Sequence, residues 1–376
     1  MKIIHVIIGL ESGGAEVTLY KILTKKNKKI SHMVISMTGP GFYGKKIESN
    51  GVIVKYLNMK SPISIFLGLF KMGKIFLNEK PDIVQTWLHQ ADFIAGLIAK
   101  IVGVKKIVWN IRTTAVNWGN YSFLTILFAR LCGYFCQNIP KIIITCAKQA
   151  KKNHLNIGYP NKFCLIHNGV DTEKFSINLS NRIKFRKENN ISQDTFLIGL
   201  VARFHPVKNH LSFLKTIKEI LVTNKDIKCV LIGKNINYQN KQLKNLIEHS
   251  KINEKIILIE ETSDINKVMN GLDINVLPSL YGETCPNALI EAMSSGTPCV
   301  ASNLGEIKEI INKFGWTVDP GNSLQLKESI LDAINLKSQN NKEWESLCIN
   351  CSTHIKNNFS INKMIKSYEF LWLNRV

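Results

Sequence analysis

The alternation of short apolar runs with helix-length segments constrains the fold of this chain more than any other feature of its sequence. Strands that alternate with helices predict βαβ units, and therefore a parallel sheet with helices on its faces. In the first half of the chain the predicted strands are Ile3–Ile8, His32–Met37, Ile53–Leu57, Ile83–Thr86, Lys106–Trp109 and Lys141–Thr145. The predicted helices between them include Glu16–Lys26, Ile63–Asn78 and Ala91–Val102.

The same pattern starts a second time after a polar stretch, residues 171–193, which we interpret as the connection between two domains. The strands predicted there are Phe196–Val201, Lys228–Ile232, Ile256–Leu258, Ile274–Leu277 and Pro298–Ala301, and the helices are His210–Asn224, Asn240–Ser250, Thr262–Asn270 and Asn287–Ser295. A chain of 376 residues also fits two domains, at roughly 150 residues each. The sequence thus predicts two Rossmann-like, doubly wound α/β domains. Ligands of such sheets bind beyond the carboxyl ends of the strands, so we expect the site in the cleft between the domains.

The basic charge of the chain is concentrated in its first half. The formal net charge is +21, and residues 1–180 hold 24 Lys and Arg against 8 Asp and Glu. Such an excess indicates either an acidic partner, nucleic acid or an anionic membrane surface, or merely a solvated basic surface. Because the sequence carries no nucleic-acid-binding motif, nucleic acid is not an expected partner. No apolar run reaches about 18 residues, so no transmembrane helix is predicted.

The nine cysteines show no arrangement typical of a metal site or a disulfide framework. Cys348 and Cys351 form one CxxC spacing, but no second pair completes a zinc site. An odd number of cysteines in apolar runs predicts buried thiols in a reducing compartment. The start of the chain, residues 1–8, is too short for a secretory apolar region and is interpreted as the first strand.

Gly13 and Gly14 follow the first predicted strand and precede the first predicted helix. Glycines at such a turn let the backbone approach a ligand closely, and the helix N-terminus offers free N–H groups that suit a phosphate. The motif is neither a full G-x-G-x-x-G nor a Walker A sequence. By itself it indicates either a phosphate contact or a plain tight turn.

Two pairs of charged residues stand in loops of the second domain. Arg203 and Lys208 follow the strand Phe196–Val201, where a guanidinium fork and an ammonium group could converge on one diphosphate. Glu283 and Glu291 flank a turn, and Asn287 is predicted to be the N-cap of the helix that carries Glu291. Carboxylates accept hydrogen bonds from the paired hydroxyls of a ribose or a hexose. Taken singly, each pair could also be ordinary surface charge.

Together these elements resemble glycosyltransferase family 4, the retaining enzymes with the GT-B fold. The resemblance covers essentially the whole chain. It is densest from residue 166 to residue 302, and the run from Pro278 to Pro298 is highly characteristic. The resemblance implies an acceptor-binding domain over residues 1–175, a donor-binding domain over 176–355, and a C-terminal helix, 356–376, that packs back on the first domain.

The resemblance also implies roles for individual residues. Arg203 and Lys208 would bind the donor diphosphate and stabilise it as it leaves without a metal ion, and Gly13 and Gly14 would contact it from the other domain. Glu291 would hold the ribose. Glu283 would hydrogen-bond the donor sugar without acting as a nucleophile, because the family is thought to react on the front face. The remaining donor-binding positions implied are Thr284, Cys285, Pro286, Asn287, Ala288 and Leu289.

The chain departs from the family pattern at one position. Many relatives have a functional histidine after the fifth strand, where this chain has Arg112. Arg112 is therefore expected at the cleft, facing the donor sugar, the phosphate or the acceptor. His89, which follows the fourth strand, is the other candidate catalytic residue of this domain; it could equally be an ordinary loop histidine.

The resemblance implies a nucleotide sugar as co-substrate, UDP most often in this family, and no other cofactor. The acceptor would be a glycan, often one on a lipid diphosphate in surface polysaccharide, lipopolysaccharide or O-antigen assembly. The protein would then be cytoplasmic and peripheral at the inner membrane, bound through its basic first domain. The segment Lys60–Lys80 is either an interfacial amphipathic helix or a core-facing helix with a solvated rim, whereas Tyr121–Cys136 is interpreted as a core helix.

Three other functions were compared with this one. A sugar-nucleotide 2-epimerase of the same architecture would lack the combination of Arg203 and Lys208 with Glu283 and Glu291 as placed here. A basic nucleic-acid- or membrane-binding protein without transferase activity would leave those four residues unexplained. An inactive partner subunit would not be expected to keep them.

Overall fold

The computed structural model describes residues 1–11, 13–25, 27–114 and 123–376. The chain divides into two compact units, each with its own parallel sheet. The first unit comprises Met1–Asn168 together with Asn362–Val376, and the second comprises Gly169–Ile361. The predicted fold class, two Rossmann-like doubly wound domains, is confirmed.

The first unit contains a seven-stranded sheet with helices on its faces. Its strands are β1 (Lys2–Ile7), β2 (Ser31–Ser36), β3 (Ile53–Tyr56), β4 (Ile83–Trp87), β5 (Ile107–Ile111), β6 (Ile142–Thr145) and β7 (Phe163–Leu165). Its helices before the second unit are α1 (Gly14–Thr24), α2 (Gly44–Ser49), α3 (Pro62–Glu79), α4 (His89–Ile101), α5 (Phe123–Phe135) and α6 (Lys148–Asn156). The strand order β3-β2-β1-β4-β5-β6-β7 reverses direction between β1 and β4. The carboxyl ends of these two strands are therefore where a ligand is expected.

The helix α5 only partly fits its prediction as a core helix. Ile126, Ala129 and Cys132 are buried, but Phe123 and Leu124 on its other side are exposed. Residues 121 and 122 of the predicted segment lie outside the described residues. The periodicity of an apolar segment indicates a helix without showing that both of its sides are covered.

The second unit contains a six-stranded sheet in the order β10-β9-β8-β11-β12-β13. The strands are β8 (Phe196–Val201), β9 (Ile227–Ile232), β10 (Ile256–Ile259), β11 (Ile274–Leu277), β12 (Cys299–Ser302) and β13 (Gly315–Val318). The helices are α7 (Leu179–Glu188), α8 (His210–Ile220), α9 (Lys241–Ser250), α10 (Ile265–Gly271), α11 (Asn287–Ser294), α12 (Ile307–Ile311), α13 (Ser323–Gln339) and α14 (Asn341–Asn358). The order reverses between β8 and β11, and the predicted loops of Arg203 and Glu283 follow these two strands.

A buried ionic cluster ties α7 to the amino-terminal end of the second sheet. Asp273, which precedes β11, is almost fully buried and accepts hydrogen bonds from Arg182 Nη2 at 2.8 Å and Lys337 Nζ at 2.7 Å. Arg186 Nη2 donates to the other carboxylate oxygen at 2.8 Å, and the Leu197 N–H donates to it at 2.7 Å. The stretch 171–193, predicted to be a plain connection, therefore contains a helix that is fastened to the core.

The last helix, α15 (Ile361–Asn374), packs on the first unit. Tyr368 Oη accepts a hydrogen bond from Asn110 Nδ2 at 2.9 Å, and Trp372 Nε1 donates to Gln85 Oε1 at 2.7 Å. All four side chains are fully or almost fully buried. The ring of Trp372 also lies edge-on to His5, with ring centroids 5.9 Å apart. These contacts to β4, β5 and β1 show why residues from 362 onward belong to the first unit.

Candidate active site

The turn between β1 and α1 places the N-terminus of α1 at the carboxyl edge of the first sheet. Gly13 is the N-cap and provides no side-chain cap, and a Cβ at Gly14 would meet nothing within 4 Å. A Cβ at Gly13 would lie 2.4 Å from Glu16 Oε2, so the Glu16 carboxylate lies over this turn. Burial raises the pKa of Glu16, although nearby Arg112 works against the rise. A helix end that already attracts a carboxylate is suited to an anionic ligand.

Arg112 lies at the same edge of the first sheet, immediately after β5. Its Nη2 donates to Thr18 Oγ1 at 3.0 Å and also to Asn168 Oδ1. Thr18, on α1, in turn donates to the Gly14 carbonyl at 2.8 Å. Two buried polar side chains thus fix the guanidinium beside the glycine turn. The sequence had not singled out Thr18, because a threonine inside a helix is usually a packing residue.

His89 is buried at the start of α4 and is neutral. Its Nε2 lies 3.0 Å from Thr113 Oγ1, and its ring centroid lies 5.4 Å from that of His154. Burial, with a smaller effect of His154, lowers the pKa of His89 to about 3. The preceding Leu88 has φ of +73°, a strained conformation for a leucine. His89 can therefore position Thr113 by a hydrogen bond but stays uncharged at neutral pH.

Asp92 is a second buried ionisable group on α4. Its Oδ1 accepts a hydrogen bond from Thr86 Oγ1 at 2.6 Å, and the side chain is completely buried. Burial raises the pKa of Asp92 to about 7, although the bond from Thr86 partly opposes the rise. The carboxyl is thus protonated below neutral pH. A neutral acid in this position costs less than a buried charge without a counter-ion.

Replacing Asp92 with asparagine is expected to stabilise the protein selectively at alkaline pH. Because the folded pKa lies above the unfolded one, the stability is complete at low pH and declines as pH rises through about 7. Between pH 5 and 8 the wild type should lose about 2–3 kcal/mol of unfolding free energy more than Asp92→Asn, at about 1.4 kcal/mol per pKa unit. Urea unfolding across this range measures the difference. The exposed control Asp332→Asn should follow the wild type, and parallel curves for Asp92→Asn would contradict the prediction.

In the second unit, the loop after β8 carries Arg203, His205 and Lys208. His205 Nδ1 accepts from the Val207 N–H at 3.3 Å and caps a short 3-10 helix, Pro206–Lys208, which orients Lys208. Partial burial, followed by the charges of Arg203 and Lys208, lowers the pKa of His205. The loop therefore holds two cations and one neutral imidazole at the carboxyl end of the sheet.

Glu283 lies against Lys208 in this unit. Lys208 Nζ forms an ion pair with Glu283 Oε1, and Ser279 Oγ donates to the same oxygen at 2.6 Å. Glu283 is only 7% exposed. A buried carboxylate that accepts two such bonds is firmly oriented. Ser279 was not predicted, since serine in a loop carries no specific signal.

Two glycines hold these loops where only a glycine fits. Gly305 has φ of +58°, and a Cβ there would lie 2.4 Å from the Thr284 carbonyl oxygen. Gly233 has φ of +144°, and a Cβ there would lie 2.4 Å from the Ala202 carbonyl oxygen, next to Arg203. The Glu306 N–H adds a 2.8 Å hydrogen bond to the Thr284 carbonyl. The loops of Glu283 and Arg203 are therefore set by backbone packing against neighbouring loops.

The helix α11 begins at Asn287, and Pro286 is its N-cap. The prediction that Asn287 is the N-cap is wrong: proline fixes the extended backbone at this point, so Asn287 already has helical geometry. Glu291 follows one turn later and is partly exposed. Among the other predicted donor-binding positions, Thr284, Cys285 and Leu289 are buried, whereas Pro286, Asn287 and Ala288 are partly exposed.

The structure thus assembles two groups of predicted residues, one in each unit. Gly13, Gly14 and Arg112 share the carboxyl edge of the first sheet, with His89 buried behind Thr113. Arg203, Lys208 and Glu283 share the carboxyl edge of the second, next to the start of α11. Among the described residues no group of three or more His, Cys, Asp or Glu could hold a metal ion, and no described helix is long and apolar enough to cross a membrane.

Comparisons with known proteins agree with this architecture. Residues 12–174 match the model of Glycosyltransferase Family 4, and residues 181–346 match that of Glycosyl transferases group 1. The chain is 25% identical to the UDP-Gal:α-D-GlcNAc-diphosphoundecaprenol α-1,3-galactosyltransferase of Escherichia coli, over 100% of this chain and 97% of that protein. It is 26% identical to the capsular polysaccharide biosynthesis glycosyltransferase CapM of Staphylococcus aureus, over 90% and 88% of the two chains.

The fold is shared with solved structures as well. The Anabaena protein Alr3699/HepE, solved in complex with UDP, superimposes with a TM-score of 0.84 and 16% identity, and the match covers 98% of each chain. Two Rossmann-like units, each with a parallel sheet of this topology, are the architecture of the GT-B glycosyltransferases. The chain belongs to glycosyltransferase family 4, since the two family models together span most of its length.

Proposed function

We propose that this enzyme is a retaining, metal-independent transferase that moves a hexose from a UDP-sugar to a glycan acceptor. The observation that carries the proposal is the cluster of Lys208, Glu283 and Ser279 beside Arg203 at the carboxyl edge of the second sheet. Two cations at this place, one of them fixed by Glu283, suit a diphosphate, and the fixed carboxylate suits the hydroxyls of a sugar attached to it.

The chemistry follows from where negative charge grows during transfer. As the bond between the sugar and the diphosphate breaks, charge develops on the leaving phosphate oxygen. Arg203 and Lys208 would stabilise that charge directly, which is the task a divalent metal performs in other enzymes. Lys208 would exchange part of its contact with Glu283 for the phosphate, and Glu283 would then be available to the donor sugar.

Glu283 is proposed to orient the sugar and not to attack it. Its Oε1 is already engaged by Lys208 and Ser279, which lowers its nucleophilicity. Retention would then result from attack on the same face that the diphosphate leaves, with the phosphate accepting the proton of the acceptor hydroxyl. Glu291 is proposed to bind the ribose, and the start of α11 to bind the donor through its backbone N–H groups.

The first unit is proposed to bind the acceptor. Arg112 is held by Thr18 and Asn168 and offers donors for an anionic group, whereas Gly13 and Gly14 are proposed to contact the donor diphosphate. The name of the Escherichia coli relative includes an acceptor attached to a lipid diphosphate, and the Anabaena protein was solved in complex with UDP. These names support a lipid-linked glycan as acceptor and UDP as the nucleotide. Surface polysaccharide or O-antigen assembly at the cytoplasmic face of the inner membrane is the corresponding role.

A panel of nucleotide sugars tests the proposal. Thermal shift is measured with UDP-, GDP- and other nucleotide sugars, with and without EDTA, and the anomeric configuration of any product is read by NMR. We expect one UDP-sugar to raise the melting temperature in EDTA, by an amount set by its concentration relative to Kd. Inverted product or an absolute need for a divalent ion would overturn the retaining, metal-independent mechanism.

A further inference from the structure

The helix α3 is apolar on two opposite sides. One side is buried: Met72 and Phe76 pack into the core of the first unit. The other side faces solvent, with Ile63 75% exposed, Phe66 73% and Phe70 72%. The spacing of these three residues, three and four apart, places them in one stripe along the helix. The sequence left open whether Lys60–Lys80 is an interfacial amphipathic helix or a core-facing helix with a solvated rim. The structure shows that neither description is complete, because the helix has one apolar side in the core and another facing solvent.

This outward stripe is a stable part of the fold. The helix begins with a capping box, in which the Ser61 and Ser64 side chains each bond to the backbone of the other. It has Pro62 in its first turn, and its buried side is anchored in the core. A helix held in this way presents its outer aromatic side chains in a fixed orientation. Contiguous exposed aromatics on a soluble surface indicate a binding site for an apolar partner.

The helix α5 adds a second outward apolar stripe on the same side of the sheet. Phe123 and Leu124 are more than half exposed, and Leu127 is 38% exposed. Both α3 and α5 pack against α4, and all three helices contribute to the same core cluster of the first unit. The amino-terminal turns of α3 and α5 follow β3 and β5, so these stripes begin near the edge of the sheet that carries Arg112.

The charge around these stripes is positive. Lys71 and Lys74 are exposed on α3, and Lys60 and Lys80 are exposed just beyond its two ends. The acidic residues within α3, α4 and α5 are Glu79, which pairs with Lys2, and the buried Asp92. On a lipid surface, the apolar stripe would match the acyl boundary and the flanking lysines would match the anionic headgroups. A protein partner would instead have to offer an apolar pocket surrounded by acidic groups.

We propose that the outer faces of α3 and α5 form the surface by which this enzyme docks on an anionic membrane, with Phe66 and Phe70 inserted at the acyl boundary. The docking surface is argued from exposure and charge alone. Only the reason for docking, access to a lipid-linked acceptor, rests on the proposed function. Docking on this face would bring the carboxyl edge of the first sheet close to the lipid headgroups, where the diphosphate of such an acceptor lies.

Vesicle flotation of the full chain tests the surface. The vesicles contain phosphatidylcholine alone or with about one third phosphatidylglycerol. The wild type should bind the anionic vesicles and release at high salt. The double variant Phe66→Ser, Phe70→Ser should need about tenfold more lipid or worse for half-maximal binding, because two large apolar side chains are lost. Lys71→Glu with Lys74→Glu should lose the preference for anionic lipid.

Matched controls separate this surface from general stickiness. Leu324 and Val222 are 70% and 76% exposed on the second unit, and Leu324→Ser with Val222→Ser should bind as the wild type does. All variants should keep the wild-type melting temperature and its shift with UDP. Unchanged vesicle binding by the phenylalanine variant would overturn the proposal. So would a dimer in light scattering that only this variant abolishes, because the face would then join two copies. Activity on a detergent-dispersed acceptor without vesicle binding would reject docking and leave the proposed function standing.

Discussion

Replacing Lys208 with alanine is expected to reduce kcat/KM for sugar transfer by about 10²–10³, the effect of removing one preorganised group that stabilises developing negative charge. The ammonium group is fixed by Glu283 and by the 3-10 turn that His205 caps. Its loss would remove positive charge from the leaving diphosphate. Glu283 would still accept from Ser279, so the loop should stay folded.

The measurement is steady-state transfer with the donor that the panel identifies, together with UDP affinity. Lys218→Ala is the matched control, since Lys218 is an exposed lysine on α8 that is unrelated to the loop. The control should retain wild-type rates and affinity. Transfer by Lys208→Ala within a factor of a few of the wild type, with the fold intact, would remove Lys208 from the site.

Replacing Asp273 with asparagine should cost about 3–5 kcal/mol of unfolding free energy, as when one partner is removed from a buried ion pair. Asp273 is the common acceptor of Arg186, Arg182 and Lys337, and Arg186 is completely buried. Asparagine would keep the shape of the side chain and remove the charge that compensates these cations. Urea unfolding followed by circular dichroism gives the difference.

The same carboxylate makes the second unit sensitive to acid. Burial alone would raise the pKa of Asp273, but the three surrounding cations outweigh it and hold the pKa below its usual value. The stabilisation is therefore present above the unfolded pKa, near 4, and is lost as pH falls through the lower folded value. Asp264→Asn, at an exposed carboxylate paired with Lys267, should leave stability unchanged. A loss no larger than this control would contradict the role of Asp273.

The order of strands and helices could be predicted because this fold is regular. The strands Phe196–Val201 and Ile274–Leu277 have the bounds expected from the sequence, since each is a largely apolar run that begins directly after a polar residue. The helix α7 was missed because its sequence is mostly polar and its few apolar residues show no clear helical periodicity. Arg182 and Arg186 both bind Asp273, which lies about ninety residues further along the chain, and no local pattern reveals such a contact.

The candidate site divides in the same way. Lys208 and Glu283 could be named as site candidates because the segments that carry them resemble the family together, although each alone could be ordinary surface charge. The sequence could not show that His89 is buried and neutral, because that depends on His154 and on packing from other elements. Nor could it show that Gly305 is needed for its fit against Thr284. Nor could the sequence show that one apolar side of α3 faces solvent, because the pattern of apolar residues does not reveal which side of a helix is covered.

The return of α15 to the first unit has a consequence for biosynthesis. Tyr368 and Trp372 cover Asn110, Gln85 and the aromatic rings beside them, yet they are synthesised only after the whole of the second unit, Gly169–Ile361. The first unit therefore emerges early with this surface uncovered and can be completed only after the second unit has been made. A single cut near residue 168 would leave both fragments defective. The first would lack α15, and the second would carry α15 without the sheet on which it packs. A circularly permuted gene that starts at residue 362 would let the nascent first unit close without waiting for the second.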